Sequence, residues 1–210
     1  MKGRYFVLGT DTDCGKTHVT CKLVAAAQAR NQSVMALKPV ASGCAVHDGV
    51  LISEDVVRLQ RALCDQTTEL CPWRLSAPIA PHLAAAAQGE TLSVDAIADF
   101  CMSSAWDQYD VVFIEGAGGL MVPLDGLFTW VDFLQQTGLP VILVVGLRLG
   151  CINHALLTHE VLKFKGIKCV GWIANMLEPT MLAPAENITT LQSALDIPLL
   201  AQVPYETKAQ

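Results

Sequence analysis

Gly9-Thr10-Asp11-Thr12-Asp13-Cys14-Gly15-Lys16-Thr17 follows the apolar run Tyr5-Phe6-Val7-Leu8 and opens into a helix-like stretch from Gly15 to about Arg30. A strand, a glycine-bounded loop, Gly-Lys-Thr and a helix form the arrangement in which backbone N–H groups and a helix N-terminus hold phosphates. The Lys then neutralises the phosphates and the Thr hydroxyl ligates Mg²⁺. The spacing departs from the common pattern, because five residues separate Gly9 from Gly15 where the standard phosphate loop has four. A dinucleotide-binding turn fails here, since Lys16 stands where that fingerprint needs close glycine packing.

Working outward, four more runs read as strands covered on both faces: 34–37, 111–114, 141–145 and 170–174, with a sixth at 199–203. They are continuously apolar rather than alternating, as a parallel sheet under two helical layers requires. Helices are expected at about 15–30, 54–63, 94–105 and 152–165; in the third, Val94, Ile97, Ala98 and Cys101 make one apolar stripe. Alternation of strand and helix predicts an α/β fold, a mostly parallel sheet flanked by helices on both faces, of P-loop NTPase type. No linker divides the 210 residues, so one domain is expected, with 71–81 as an irregular excursion and 84–87 as a short helix-favouring run.

A chain that is 52% hydrophobic and 16% charged is not a disordered one. Its most apolar stretch, Pro140 to Leu147, ends at Arg148 and is far short of the roughly 18 to 20 residues of a membrane span. Met1-Lys2-Gly3-Arg4 runs straight into the first strand without the apolar region of a secretory signal, so a cytoplasmic location is expected. The net charge of −6 with scattered Lys and Arg argues against a nucleic-acid or membrane surface. Eight cysteines with no C-x-x-C pair read as reduced core thiols.

A phosphate loop needs hard oxygen partners for its metal. Glu115, read as the end of the 111–114 strand in Ile114-Glu115-Gly116-Ala117-Gly118-Gly119, and Asp55, in the first turn of the 54–63 helix, are the candidates. Lys38, fixed by Pro39 after the second strand, aims a second cation into the same crevice as Lys16.

Four motifs in register are similar to those of the dethiobiotin synthetase family of biotin biosynthesis: Gly9 to Thr17, Lys38 to Gly43, Glu115 to Gly119, and Gly150-Cys151-Ile152-Asn153-His154. The resemblance covers the chain from the first strand to about Pro204. It implies a ligase that carboxylates 7,8-diaminopelargonic acid with CO₂, phosphorylates the carbamate with ATP, and closes the cyclic urea. Lys38 and Lys16 would be catalytic, and Thr17, Asp55 and Glu115 would hold Mg²⁺. ATP would lie on Asp13, Cys14, Gly15, Lys16, Thr17 and His18. It would also touch Asp55, Glu115, Gly116, Ala117 and Gly118, with Asn175, Pro204 and Tyr205 at the adenine. The substrate would meet Ser42, Gly118 and the helix start at Cys151, Ile152 and Asn153, this last segment coming from the neighbouring subunit of a homodimer. Cys151 is expected to line the substrate site without acting as a nucleophile. Met176 stands where relatives often carry Asp beside the adenine-reading Asn, and with Gln210 so soon after Tyr205 a later nucleotide contact is expected to be missing.

A regulatory ATPase switch of the partition or metallochaperone type shares this fold and a shifted loop. Its Lys-Gly-Gly-x-Gly-Lys-Thr pattern is met here by Asp11, Thr12 and Asp13 at its first three positions. A cobyrinate-type amidotransferase relative would need a second, glutaminase domain.

Overall fold

From the amino end, β1 (Gly3–Gly9) passes through the loop to α1 (Lys16–Gln28) and β2 (Val34–Leu37). Three short strands, β3 (Val40–Ser42), β4 (Ala45–His47) and β5 (Val50–Ile52), precede α2 (Glu54–Leu63), and β6 (Trp73–Leu75), α3 (Pro81–Ala87) and α4 (Val94–Met102) follow. The second half runs β7 (Val111–Gly119), β8 (Pro123–Asp125), β9 (Phe128–Thr129), α5 (Trp130–Thr137) and β10 (Val141–Leu147). It continues through α6 (Cys151–Phe164), β11 (Cys169–Met176), α7 (Pro184–Ala194) and β12 (Leu199–Val203). The structure is a computed structural model that describes residues 2–206. The stretch 207–210, with the expectation about the chain's tail, lies outside the described residues.

The six runs read from sequence form one parallel sheet in the order β12-β11-β10-β1-β7-β2. β1 is central, and connections leave it toward β2 on one side while β10 lies on the other. That reversal opens a crevice above the carboxyl end of β1, where ligands of such sheets bind. Side chains alternate across the sheet. Phe6 packs on Trp130 and Phe133 of α5, with ring centroids 5.1 and 5.4 Å away. Glu115 pairs in register with Val7, so it faces away from Phe6 and toward α1.

Several expectations are corrected. Glu115 is not at a strand end: β7 continues to Gly119, carrying the Glu-Gly-Ala-Gly-Gly motif as extended backbone above the core. The stretch 71–81 is not simply irregular, because β6 pairs in parallel with β3, Val40 opposite Trp73. α4 stops at Met102 because Ser103 turns extended (ψ 140°), and residues 104–106 form a separate 3₁₀ turn. The run 84–87 belongs to α3, started by Pro81, and α5 and α7 were not foreseen. α5 is fixed by a capping box between Thr129 and Asp132. All eight cysteines are free, but Cys64 is exposed at the end of α2 and is no core thiol.

Candidate active site

The phosphate-loop backbone folds tightly over the end of β1. A Cβ on Gly9 would fall 2.4 Å from Cys14 Sγ and 2.9 Å from Lys16 Nζ, so any side chain there would have to push the Cys14 and Lys16 side chains aside. Gly15 caps α1 in the left-handed region (φ 85°), and a Cβ there would fall 2.0 Å from Asn175 Nδ2. Asn175, at the end of β11, donates from Nδ2 to the Cys14 carbonyl at 2.9 Å. Its Oδ1 is buried with no hydrogen-bond partner among the described residues. Lys16 Nζ donates to the Asp11 carbonyl at 2.9 Å, folding the side chain back over the loop.

Beneath the loop, polar groups from α1, α2, β7 and the segment after β2 meet. Thr17 Oγ1 lies 2.7 Å from Asp55 Oδ1 and 2.7 Å from Glu115 Oε1. A hydroxyl has one proton, so one of these short contacts sets two oxygens together with no proton between them. That is a donor set a cation would relieve. Two carboxylates and a hydroxyl match the hard oxygen ligation of Mg²⁺, which takes its remaining ligands from phosphate and water. Thr20, one turn along α1, lies 3.0 Å from the other Glu115 oxygen. Lys38 donates to Glu115 Oε1 at 2.7 Å and to the Gly116 carbonyl at 3.1 Å, and stands 3.4 Å from Asp55.

Lys38 and Glu115 are both buried, and a buried charge persists only with partners. Burial alone would lower the Lys38 pKa, but the Glu115 and Asp55 carboxylates more than offset it and raise it above the ordinary lysine value. Lys38 is therefore an ammonium throughout the neutral range. Lys16 goes the other way: burial lowers its pKa, and Lys38 lowers it further against the opposing pull of Cys14, Glu115 and Asp55. Asp55 is held below the ordinary carboxyl value because Lys38 and the Thr17 hydroxyl outweigh its burial.

These groups line one open cleft of about 840 Å³. The structure brings Asp13, Gly15, Lys16, Thr17, His18, Lys38, Ser42, Asp55, Glu115, Ala117, Gly118, Asn175 and Tyr205 to its wall. Cys14 and Gly116 stand behind it, contributing backbone carbonyls to Asn175 and Lys38. Pro204 is exposed and off the wall. Cys151 does not line the cleft of its own chain: its side chain is buried, with Sγ 3.7 Å from Asn187 of α7, and its N–H is taken by the Arg148 carbonyl. Ile152 and Asn153 likewise do not line the cleft of their own chain.

Sequence reading missed Thr12, Thr20, Arg58, Leu177 and Glu206. Thr20 had a signal, its i, i+3 spacing from Thr17. Glu206 had none, and it reaches the cleft because it pairs with Lys22 and lies 3.9 Å from His18 on α1. Asp11 pairs with Arg148 beyond β10, and its Oδ2 stands 4.0 Å from His154 Nδ1, tying the loop to the start of α6.

The sequence profile of a family described as an AAA domain matches residues 3–210. The chain is 49% identical over 205 residues to the ATP-dependent dethiobiotin synthetase BioD of Legionella pneumophila (strain Lens), covering 98% of this chain and 95% of that protein. It is 43% identical over 203 residues to the protein of the same name from Aromatoleum aromaticum, covering 96% and 90%. Among solved structures it is similar to the septum site-determining protein MinD of Pyrococcus horikoshii complexed with Mg-ADP, with a TM-score of 0.57 at 20% identity, covering 97% of this chain and 82% of that one. A ParA family ATPase from Chlorobium tepidum gives 0.57 at 16%, covering 98% and 84%. At those identities the likeness to the two ATPases is one of fold.

Proposed function

This chain belongs to the ATP-dependent dethiobiotin synthetase family and forms dethiobiotin at the expense of ATP, and on that premise we propose how its own residues carry the reaction. The observation that carries the proposal is the meeting of Thr17, Asp55, Glu115 and Lys38 under the phosphate loop.

The γ-phosphate lies under Lys16 and the N–H groups at the start of α1. Thr17, Asp55 and Glu115 would hold Mg²⁺, which would supply neutralisation of phosphate charge. Asn175 offers its orphaned buried Oδ1 to the exocyclic amine of adenine, which satisfies an acceptor that is otherwise costly to bury. Tyr205 forms part of the wall beside it.

One amine of 7,8-diaminopelargonic acid adds to CO₂, forming an N–C bond and releasing a proton. The carbamate is an anion, and Lys38 receives it by giving up its longest contact, the 3.4 Å approach to Asp55. Since Lys38 stays protonated it acts as a fixed positive charge and not as a base. The carbamate oxygen displaces ADP from the γ-phosphorus. The second amine then attacks the carbamate carbon, the ring closes, and phosphate leaves. Lys16 and Lys38 stabilise the charge gathered on the transferring oxygens. Ser42 and Gly118, which line the cleft, would border the diamine.

The carboxylate of the diamine is assigned to the first turn of α6 in a neighbouring copy of the chain. This accords with Ile152 and Asn153 being off their own cleft and with first-turn N–H groups lacking intrahelical acceptors. Asp11, where the switch ATPases carry their extra Lys, is paired within the chain to Arg148. Incubation with ¹³C-bicarbonate, Mg-ATP and the diamine tests the path: label belongs in the ureido carbon of dethiobiotin, and unlabelled product would refute it.

A further inference from the structure

We propose that Arg58 is a third phosphate-binding cation of this cleft, its guanidinium engaging the polyphosphate of the nucleotide from the α2 wall. Asp55 and Arg58 are three residues apart on α2 and so share a helix face, and both line the cleft with Lys16, Thr17 and His18. The α2 backbone at this point is tied to α1, because Cys21 Sγ donates to the Arg58 carbonyl at 3.7 Å. The side chain is half-buried, and among the described residues it has no ion pair.

The other cations of the cleft are already held. Lys16 is bonded to the Asp11 carbonyl, and Lys38 is bonded to Glu115 and Gly116. A divalent cation would balance Asp55 and Glu115 and nothing more. Lys16 then faces the four negative charges of ATP, while Lys38 is committed to the carbamate. Arg58 is the cation on this wall without an anion of its own. Its charge reaches the surrounding groups: with burial and Lys22, and against the opposing pull of Glu206, it lowers the His18 pKa, and it helps lower that of Asp55. A planar guanidinium can grip phosphate oxygens through two parallel N–H bonds, which a point charge cannot.

The proposal rests on reading the cleft as the ATP site, so the test separates the two. Dissociation constants for Mg-ATP and Mg-ADP are measured by calorimetry for the natural protein, Arg58→Met and Arg58→Lys, at low and high salt, with thermal midpoints as a check of folding. Loss of one charge-assisted contact predicts roughly tenfold weaker binding of both nucleotides in Arg58→Met, with partial recovery in Arg58→Lys. The loss shrinks at high salt, where an exposed charge is screened. Equal constants for Arg58→Met and the natural protein overturn the role of Arg58 alone. A loss that ignores salt and is not recovered by Lys overturns it too, marking Arg58 as scaffolding for α2. A natural protein that binds neither nucleotide overturns both this proposal and the ATP site beneath it.

Discussion

Lys38 and Lys16 are the same residue type in one cleft, and their surroundings push them in opposite directions. Lys38 is surrounded by Glu115, Asp55 and the Gly116 carbonyl, whereas Lys16 has burial and a neighbouring cation against it. Lys38→Gln is therefore expected to leave the dissociation constant of ATP within about threefold while lowering diamine-dependent turnover by at least about a hundredfold. A large rise in the ATP constant would reassign Lys38 to the nucleotide. At this scale the sequence was legible wherever a residue sat beside a glycine motif, as Lys16, Thr17, Lys38 and Glu115 do. Arg58 and Glu206 were not legible, since each looks like an ordinary polar surface position until packing against α1 turns it into the cleft.

Among the elements, β1, β7 and β10 were easiest to read because burial on both faces leaves continuous apolar runs within them, at 5–8, 111–114 and 141–145. The hairpin of β4 and β5 escaped because its residues are mostly exposed and carry no inward face. α5 is eight residues long, and its only sequence signal was the Thr129-x-x-Asp132 cap. The junction of β1 and the loop has no slack. Gly9→Ala would drive a methyl into Cys14 and Lys16, and is expected to cost about 1–3 kcal/mol together with nucleotide binding, checked by urea unfolding and calorimetry. Far from the cleft, α6 is tied to the turn after α7 by His159, 2.5 Å from Asp196, and Lys163, 2.9 Å from it. Bonds from Lys163 and His159 hold the Asp196 pKa at about 2. A depressed carboxyl stabilises fully above its unfolded value near about 3.9 and loses that contribution as the pH falls through its folded value. The denaturation midpoint of the natural protein should exceed that of Asp196→Asn at about pH 5, and the gap should narrow progressively as the pH falls toward about 2. A gap independent of pH would contradict this account.

For the whole molecule, a positive mean hydropathy of 0.39 is explained by a sheet buried on both faces rather than by a membrane segment. Among the described residues, no helix is long and apolar enough to span a bilayer. The proposed sharing of the site between two copies is supported by Ile152 and Asn153 lying off the cleft of their own chain. Mixing an inactive Lys16→Gln chain with an inactive Asn153→Ala chain should restore part of the activity, since one of the two clefts in a mixed dimer has both parts intact. Mixed dimers that stay inactive would contradict the shared site. The most direct test of the central claim is phosphate release from Mg-ATP in the presence of bicarbonate, measured with and without 7,8-diaminopelargonic acid. The account predicts release that depends on the diamine and matches dethiobiotin formed one for one; vigorous hydrolysis that ignores the diamine would contradict it.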